Sequence, residues 1–330
     1  MYKVKVTVET EIPIQRQTPG GKGVWGNCEF HVNTPLEKCD YWVVIDSLGK
    51  VEQAVCPKEN LILITGEPPT VKCYAENFLK QFSLILTCHP RIQKNHQAMV
   101  MHQLLPWMAG CKYDRFNRKW DTENCLDYDF FSTDFNLNKM DKMAIITSNK
   151  AITRGHRRRL DFIARLEKEF PDKFDVYGNG FKEAADKYEV LSKYKYALVI
   201  ENSVFHNYWT EKVADAYLSN AFPIYYGCPN IGEYFPENAM EVIDIEDYEG
   251  SVAKIKELFA SNRFERSLAD IRKSKEMVLN KYNLFAVLGH IVESSMTKKM
   301  SEASVQELHP MKVDWACRFR YYGSKLLGIN

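Results

Sequence analysis

Nine short runs of Val, Ile, Leu and aromatic residues recur along the chain, at 4–8, 41–45, 61–64, 84–86, 143–146, 174–177, 197–200, 222–226 and 241–245. Each is bounded by polar, Gly or Pro residues. Apolar runs of this length mark strands covered on both faces, as in parallel sheets, since a strand with one wet face would alternate. Stretches of helical period lie between them, notably 158–170 and 211–219, so both halves read as strand and helix in alternation. The pattern predicts an α/β fold built on parallel sheets. The stretch 106–141 breaks this rhythm, scattering Trp107, Trp120, Tyr128, Phe130, Phe131 and Phe135 among Asp, Asn and Lys, and reads as an inter-domain connection with aromatic anchors. The periodic segment from 251 to about 295 reads as closing helices.

The polar residues of most chemical interest follow directly on these runs: Glu67 after 61–64, Ser148 and Asn149 after 143–146, Glu201 and Asn202 after 197–200, and Gly227 after 222–226. Open α/β sheets bind ligands outside the carboxyl ends of their strands. A chain of 330 residues has room for two domains, and two such sheets facing each other would put all four positions on one cleft.

Composition removes several classes. An apolar content of 45% with 13% aromatic residues excludes a disordered chain. With 44 basic against 43 acidic side chains there is no global field to hold nucleic acid, so phosphate recognition must come from a local cluster. The nine cysteines, an odd count without a C-x-x-C pair, predict buried thiols in a reducing compartment rather than a disulfide framework or a zinc ribbon. The opening Met-Tyr-Lys-Val-Lys-Val-Thr-Val reads as a strand, and no apolar run approaches the roughly 20 residues that cross a bilayer. The expected location is the cytoplasm, with peripheral contact to the inner face of a membrane left open, as is the oligomeric state.

Chemistry concentrates in the second half. A buried run delivers Glu201 and Asn202 to a loop, and a helix opens near Thr210, whose first turn offers unpaired N–H groups and a positive dipole end. Lys212 adds a mobile cation, a suitable seat for a diphosphate; the plainer reading makes Thr210 an N-cap and Glu211-Lys212 a solvated pair. Upstream, Arg154, His156, Arg157, Arg158 and Arg159 form the densest cationic cluster. Arginine chelates phosphate bidentately and stays charged at any working pH, and cations at a helix N-terminus oppose its dipole, which disfavours a merely solvated role.

E-N-S at 201–203, Y-x-T-E-K at 208–212 and P-I-x-x-G at 223–227 together resemble the signature of the α-1,3/α-1,4-fucosyltransferases of glycosyltransferase family 10, with the spacing of the bacterial members. The resemblance is close over 143–245 and looser over 61–70. It implies a GT-B fold, two Rossmann-like domains facing across a cleft: an acceptor-binding domain with the connecting segment at 1–138, and a GDP-fucose-binding domain with closing helices at 139–330. It implies that Ser148, Asn149, Arg159, Tyr177, Glu201, Asn202, Tyr208, Glu211 and Lys212 make the donor site, Tyr177 within the D-x-Y-G element at 175–178. Lys212 would meet the diphosphate and Glu211 the ribose or fucose hydroxyls. The phase Arg-x-x-Phe-x-x-x-Leu selects Arg159 as the phosphate contact, while the gap after Asn149 keeps Arg154 and Arg157 in play. Glu67, fixed between Gly66 and two prolines, matches the family's general base, although Pro68 departs from the family's flanking residue.

The implied activity is inverting transfer of L-fucose from GDP-β-L-fucose to a glycan hydroxyl, with Glu67 and Glu211 as the catalytic carboxylates and no obligatory metal. Lipopolysaccharide or another surface glycan is the implied acceptor class. A GT-B transferase using another nucleotide sugar and a non-catalytic glycan-binding protein remain as alternatives. Other signals carry less. Gly20-Gly21-Lys22-Gly23 lacks the strand and spacing of a phosphate loop. Asp127-Tyr128-Asp129 matches D-x-D without a preceding strand, and His89, His96 and His102 lack ligand spacing and read as ordinary polar positions.

Overall fold

The computed structural model describes residues 1–9, 12–151, 154–295, 301–312 and 317. The chain divides into two units, Met1–Leu105 with Tyr282–Asn330, and Pro106–Lys281.

The first unit is built on a seven-stranded sheet in the order Val24–Trp25, Cys28–Val32, Tyr2–Val8, Tyr41–Ile45, Leu61–Ile64, Leu84–Thr87, Ala98–Val100. All neighbours run parallel except the edge strand Val24–Trp25. Tyr41–Ile45 and Leu61–Ile64 are buried at every residue, which is why they read as unbroken apolar runs. Trp42, Val44, Leu63, Phe78 and Ile85 form the core against one face.

The end of the chain returns to this unit. Ser304–Leu308 pairs antiparallel with Glu52–Cys56, and Leu308 joins the same core. Asn283 caps the helix Leu284–Ser294 and donates from Nδ2 to the Gln17 carbonyl at 2.7 Å, while Phe285 packs edge-on against Phe30 at 4.9 Å. The expected break at 138/139 therefore differs from the division found, because a helical period shows which face of a helix is apolar but not which sheet that face will cover.

The second unit holds a five-stranded parallel sheet in the order Phe174–Asn179, Met140–Ser148, Tyr194–Ile200, Phe222–Tyr226, Glu241–Val242. The helix Arg154–Glu169 buries Arg159, Phe162, Ile163 and Leu166, a spacing of three and four that marks one face. The segment expected as a connection is part of this unit's body. Trp107 and Phe131 are buried with their rings 5.1 Å apart, and the Gly110 amide donates to Asp186 at 2.8 Å.

The cysteine expectation is corrected. Cys73–Cys317 and Cys111–Cys125 are disulfides, while Cys28, Cys39, Cys56, Cys88 and Cys228 are buried thiols. Parity failed because five buried thiols hide two pairs, one of them 244 residues apart. Such bonds persist in oxidising compartments.

Gly178 closes the strand Phe174–Asn179 at φ 117°, and a Cβ there would lie 1.8 Å from the Thr147 carbonyl oxygen on the neighbouring strand. No side-chain movement relieves a clash with backbone. Gly178→Ala should destabilise the fold by about 2–3 kcal/mol, read as a lowered midpoint in urea unfolding; an unchanged midpoint would remove this glycine from a structural role.

Candidate active site

The strands Met140–Ser148 and Tyr194–Ile200 of the second unit end at a cavity of about 310 Å³. Ser148, Arg159, Asn202, Glu211 and Lys212 line it, as do Lys187 and Asp215, which sequence reasoning missed. Asn149, Tyr177, Glu201 and Tyr208 do not.

Glu201 explains the geometry. It is buried immediately beyond its strand, and its carboxylate accepts from the Thr210 amide at 2.8 Å, the Thr210 hydroxyl at 2.9 Å and the Lys212 ammonium at 3.1 Å. Thr210 in turn caps the helix Glu211–Leu218, accepting from the Lys212 amide. One carboxylate thus fixes the helix start and the cation on its first turn. Gly227, at the end of the next strand, leaves the room, since a Cβ there would meet Glu201 Cγ at 2.6 Å. Tyr208 is packed away and 2% exposed, and the Tyr177 hydroxyl is 2.9 Å from that of Tyr194. Asn149 lies at the exposed strand end, its amide donating to the Asn179 carbonyl at 2.9 Å.

Charge alternates through the cluster. Lys187 lies 2.6 Å from Asp215 and 3.4 Å from Glu211, and Lys212 lies 3.8 Å from Glu211. Three carboxylates face three cations once Arg159 is included. They are layered, because Glu201 and Asp215 side chains are 0% and 1% exposed whereas Lys212 and Lys187 keep 24% and 25%. The reachable face is therefore positive, which suits an anion.

Burial alone would raise the Glu211 pKa, but the Lys212 and Lys187 ammonium groups outweigh it and hold the carboxyl down at about 2. Burial alone would lower Lys212, but Glu201 and Glu211 carry it above its ordinary value. Lys187 is raised in the same way by Asp215 and Glu211. All three stay ionised at neutral pH.

Among the three arginines left open by the sequence, Arg159 lines the cavity. Its Nη1 donates to Asn202 Oδ1 at 3.0 Å and its Nη2 to the Ser148 carbonyl at 3.2 Å, while Nε is buried with no hydrogen-bond partner among the described residues. Arg157 bonds the Ala151 carbonyl at 3.0 Å, Arg158 pairs with Glu246 at 2.8 Å, and Arg154 is exposed. The family phase Arg-x-x-Phe-x-x-x-Leu favoured Arg159 and left Arg154 and Arg157 open; of the three, Arg159 is the one lining the cavity. A signal for the missed pair was also present: carboxylates at 211 and 215 share a helix face and repel unless a cation lies between them.

In the first unit, Glu67 follows Leu61–Ile64 with its backbone clamped on both sides. Its amide donates to the Tyr74 hydroxyl at 3.2 Å, and its carbonyl accepts from His89 Nε2 at 2.6 Å. Tyr74 also hydrogen-bonds Asp46, whose φ of 67° sits in the left-handed region at the end of the neighbouring strand. His89 and His102 are buried, a correction to their reading as ordinary polar positions. Asp127 caps the helix Tyr128–Thr133, accepting from the Phe130 amide at 2.9 Å.

Residues 137–267 match the family model "Glycosyltransferase family 10 (fucosyltransferase) C-term". This stretch is what the chain shares with glycosyltransferase family 10. It carries every lining residue named above, and the family is the one expected from the sequence. Alpha-(1,3)-fucosyltransferase FucT of Helicobacter pylori is 39% identical over 74 residues, which is 22% of this chain and 16% of that protein. GDP-fucose protein O-fucosyltransferase 3 of Danio rerio is 38% identical over 58 residues, 18% of this chain and 13% of that protein. The aligned stretches thus span less than a fifth of these relatives. The fold is similar to a crystal structure of an alpha1,3-fucosyltransferase with GDP-fucose, at a TM-score of 0.50 and 16% identity over 92% of each chain. The architecture of two parallel α/β units is that of the GT-B class.

Two outcomes follow from the buried charges. Lys187→Met removes the cation between Glu211 and Asp215 and leaves two close carboxylates, so the midpoint of urea unfolding should fall, with recovery in Lys187→Arg. An unchanged midpoint would remove Lys187 from this role.

Burial pushes the His89 pKa from an ordinary 6.5 down to about 4, against the weaker pull of its bond to Glu67, so the folded chain keeps this ring neutral while the unfolded chain protonates it. Stability is full above pH 6.5 and is lost as pH falls to about 4, by about 3 kcal/mol from this residue. Urea titrations across that range should show the loss in the native chain and a flatter profile in His89→Gln.

Proposed function

We propose that this protein is an inverting fucosyltransferase that moves L-fucose from GDP-β-L-fucose to a hydroxyl of a glycan acceptor. The observation that carries the reading is Lys212, held by Glu201 and Thr210, lining one cavity with Arg159 within the stretch matched by the family. A fixed ammonium, a buried guanidinium and the positive dipole end of the helix form a seat for a diphosphate. Glu211, ionised and next to the phosphate cations, accepts hydrogen bonds from sugar hydroxyls. The names of the relatives support the donor, since one is an alpha-(1,3)-fucosyltransferase and the other a GDP-fucose protein O-fucosyltransferase.

In the proposed reaction the acceptor oxygen attacks the anomeric carbon from the face opposite GDP. A new carbon–oxygen bond forms, the acceptor proton passes to the Glu67 carboxylate, and the bond to the β-phosphate breaks. Its electron pair leaves on the phosphate oxygen, and the β-linked sugar becomes α-linked. Arg159, Lys212 and the first turn of the Glu211–Leu218 helix stabilise the charge that grows on the leaving group. Glu67 is assigned by its resemblance to the family's base and by the clamp of Tyr74 and His89 on its backbone, which holds the carboxylate's root still. The acceptor class proposed is a surface glycan such as lipopolysaccharide.

Glu67→Gln should keep GDP affinity and lose turnover with GDP-fucose by about 10²-fold or more, the size of a general-base contribution. Lys212→Ala should instead weaken GDP binding about 10-fold by calorimetry. A thermal-shift panel in which a UDP-sugar or GDP-mannose stabilises the protein more than GDP-fucose would overturn the donor assignment. Retention of the β configuration in the product, read by NMR, would overturn the mechanism.

A further inference from the structure

The segment that broke the strand–helix rhythm contains a feature that the proposed transferase site does not use. Tyr113–Asp114 and Lys119–Trp120 pair as a short antiparallel hairpin. The hairpin is rigid for its size. The Cys111–Cys125 disulfide closes its base, and the Asp121 amide donates to the Lys112 carbonyl at 2.9 Å. At the tip, Asp114 accepts from the amides of Phe116 at 2.8 Å and Asn117 at 3.1 Å, and from the Asn117 side chain at 2.7 Å. The Tyr113 and Trp120 rings lie against each other at 4.9 Å, half-buried.

On this frame Phe116 is 101% exposed. An apolar ring held fully in water by a fixed turn is costly, and folding could have covered it. Its neighbours are cationic. Residues 112–120 carry Lys112, Arg115, Arg118 and Lys119 against the single carboxylate of Asp114, a net +3 in a chain whose whole charge is +1. Lys112 pairs with Glu189, and Asp114 is taken up by the turn, whereas Arg115, Arg118 and Lys119 are exposed and make no ion pair among the described residues. The hairpin also borders an open groove of about 970 Å³, where Tyr113, Phe116, Trp120 and Phe181 contribute rings.

We propose that this hairpin docks on an anionic lipid membrane, with the Phe116 ring entering the boundary between headgroups and acyl chains and Arg115, Arg118 and Lys119 lying on the headgroups. Charge complementarity selects a polyanionic partner, and the ring selects among polyanions. A soluble polyanion would engage the cations and leave Phe116 in water, whereas a lipid interface satisfies both, with Tyr113 and Trp120 at the level where interfacial aromatics settle. The rigid turn means that little ordering entropy is lost on docking. The inference stands apart from the donor site, none of whose residues lie in the hairpin.

The test is co-sedimentation of the full chain with vesicles of phosphatidylcholine, with and without abundant phosphatidylglycerol. Binding is expected only to the anionic vesicles, weakening as salt rises. Each of Arg115→Gln, Arg118→Gln and Lys119→Gln should weaken it about 5-fold and the triple variant about 100-fold, while turnover on soluble substrates stays unchanged. Phe116→Ser removes no charge and should still lower vesicle binding several-fold without lowering retention on heparin. Equal binding to neutral vesicles would overturn the proposal. Vesicle binding that is indifferent to Phe116→Ser but lost in the triple variant would also overturn it, assigning the patch to a soluble polyanion such as an acidic glycan. Because exposed positions are changed, circular dichroism melts that match the native chain separate these outcomes from misfolding.

Discussion

Glu201 is a carboxylate with almost no access to water, and the geometry of the cavity in the second unit follows from how it is answered. An ionised carboxylate at full burial would carry a desolvation cost of several kcal/mol, so its lone pairs must be met from close by. Thr210 meets them with an amide and a hydroxyl, and Lys212 meets them with an ammonium. Those bonds decide where the helix Glu211–Leu218 begins and in what phase, and hence that Glu211 opens toward the cavity while Val213, Ala216 and Tyr217 turn into the core. Gly227 belongs to the same arrangement, since any side chain there would push the carboxylate away.

A second layer rests on the first. Glu211 and Asp215 come to lie one turn apart, and the Lys187 ammonium, brought by a short helix that Asp186 caps, fills the space between them. The outcome is a cluster that is neutral in sum yet positive on its reachable side, because its two buried carboxylates sit behind their partners. An anion entering the cavity would find cations already held in place, so little reorganisation would accompany its binding. The same arrangement holds Lys212 to Glu201 at 3.1 Å and to the Thr210 hydroxyl at 2.9 Å, closer than Glu211 at 3.8 Å.

Much of this was legible in the sequence, for reasons that differ from residue to residue. Parallel strands showed themselves because strands buried on both faces cannot hide their apolar runs, and the runs at 41–45, 61–64 and 222–226 coincide with the strands found. Arg159 was favoured by the family phase it shares with Phe162 and Leu166, while Arg154 and Arg157 stayed open until burial set Arg159 apart. Lys187 was not separable, because a lysine beside an aspartate at a helix start looks the same whether it faces water or Asp215. Glu201 could be located beyond its strand, but that it holds the helix cap instead of lining the cavity depends on three bonds that no spacing encodes. The short strands Cys28–Val32 and Glu52–Cys56 escaped because their partly exposed patterns carry no continuous apolar run, and Ala98–Val100 because three residues are too few to mark a strand.

The stretch 106–141 shows how one compositional signal can conceal two physical roles. Aromatic residues scattered among polar ones look alike on paper, yet Trp107 and Phe131 are buried anchors while Phe116 stands in solvent. What separates them is the local means of holding backbone. Around Trp107 the amides of Met108 and Ala109 are accepted by Asp215, so this segment is tied to the same carboxylate that answers Lys187. Around Phe116 the amides are accepted by Asp114 within the turn, and the disulfide closes the loop on itself. The first arrangement spends its hydrogen bonds on the site and so must be packed against it. The second ties only its base to the body, through the Tyr113 amide on the Ala185 carbonyl and Lys112 on Glu189, which leaves its tip free to meet something outside the chain.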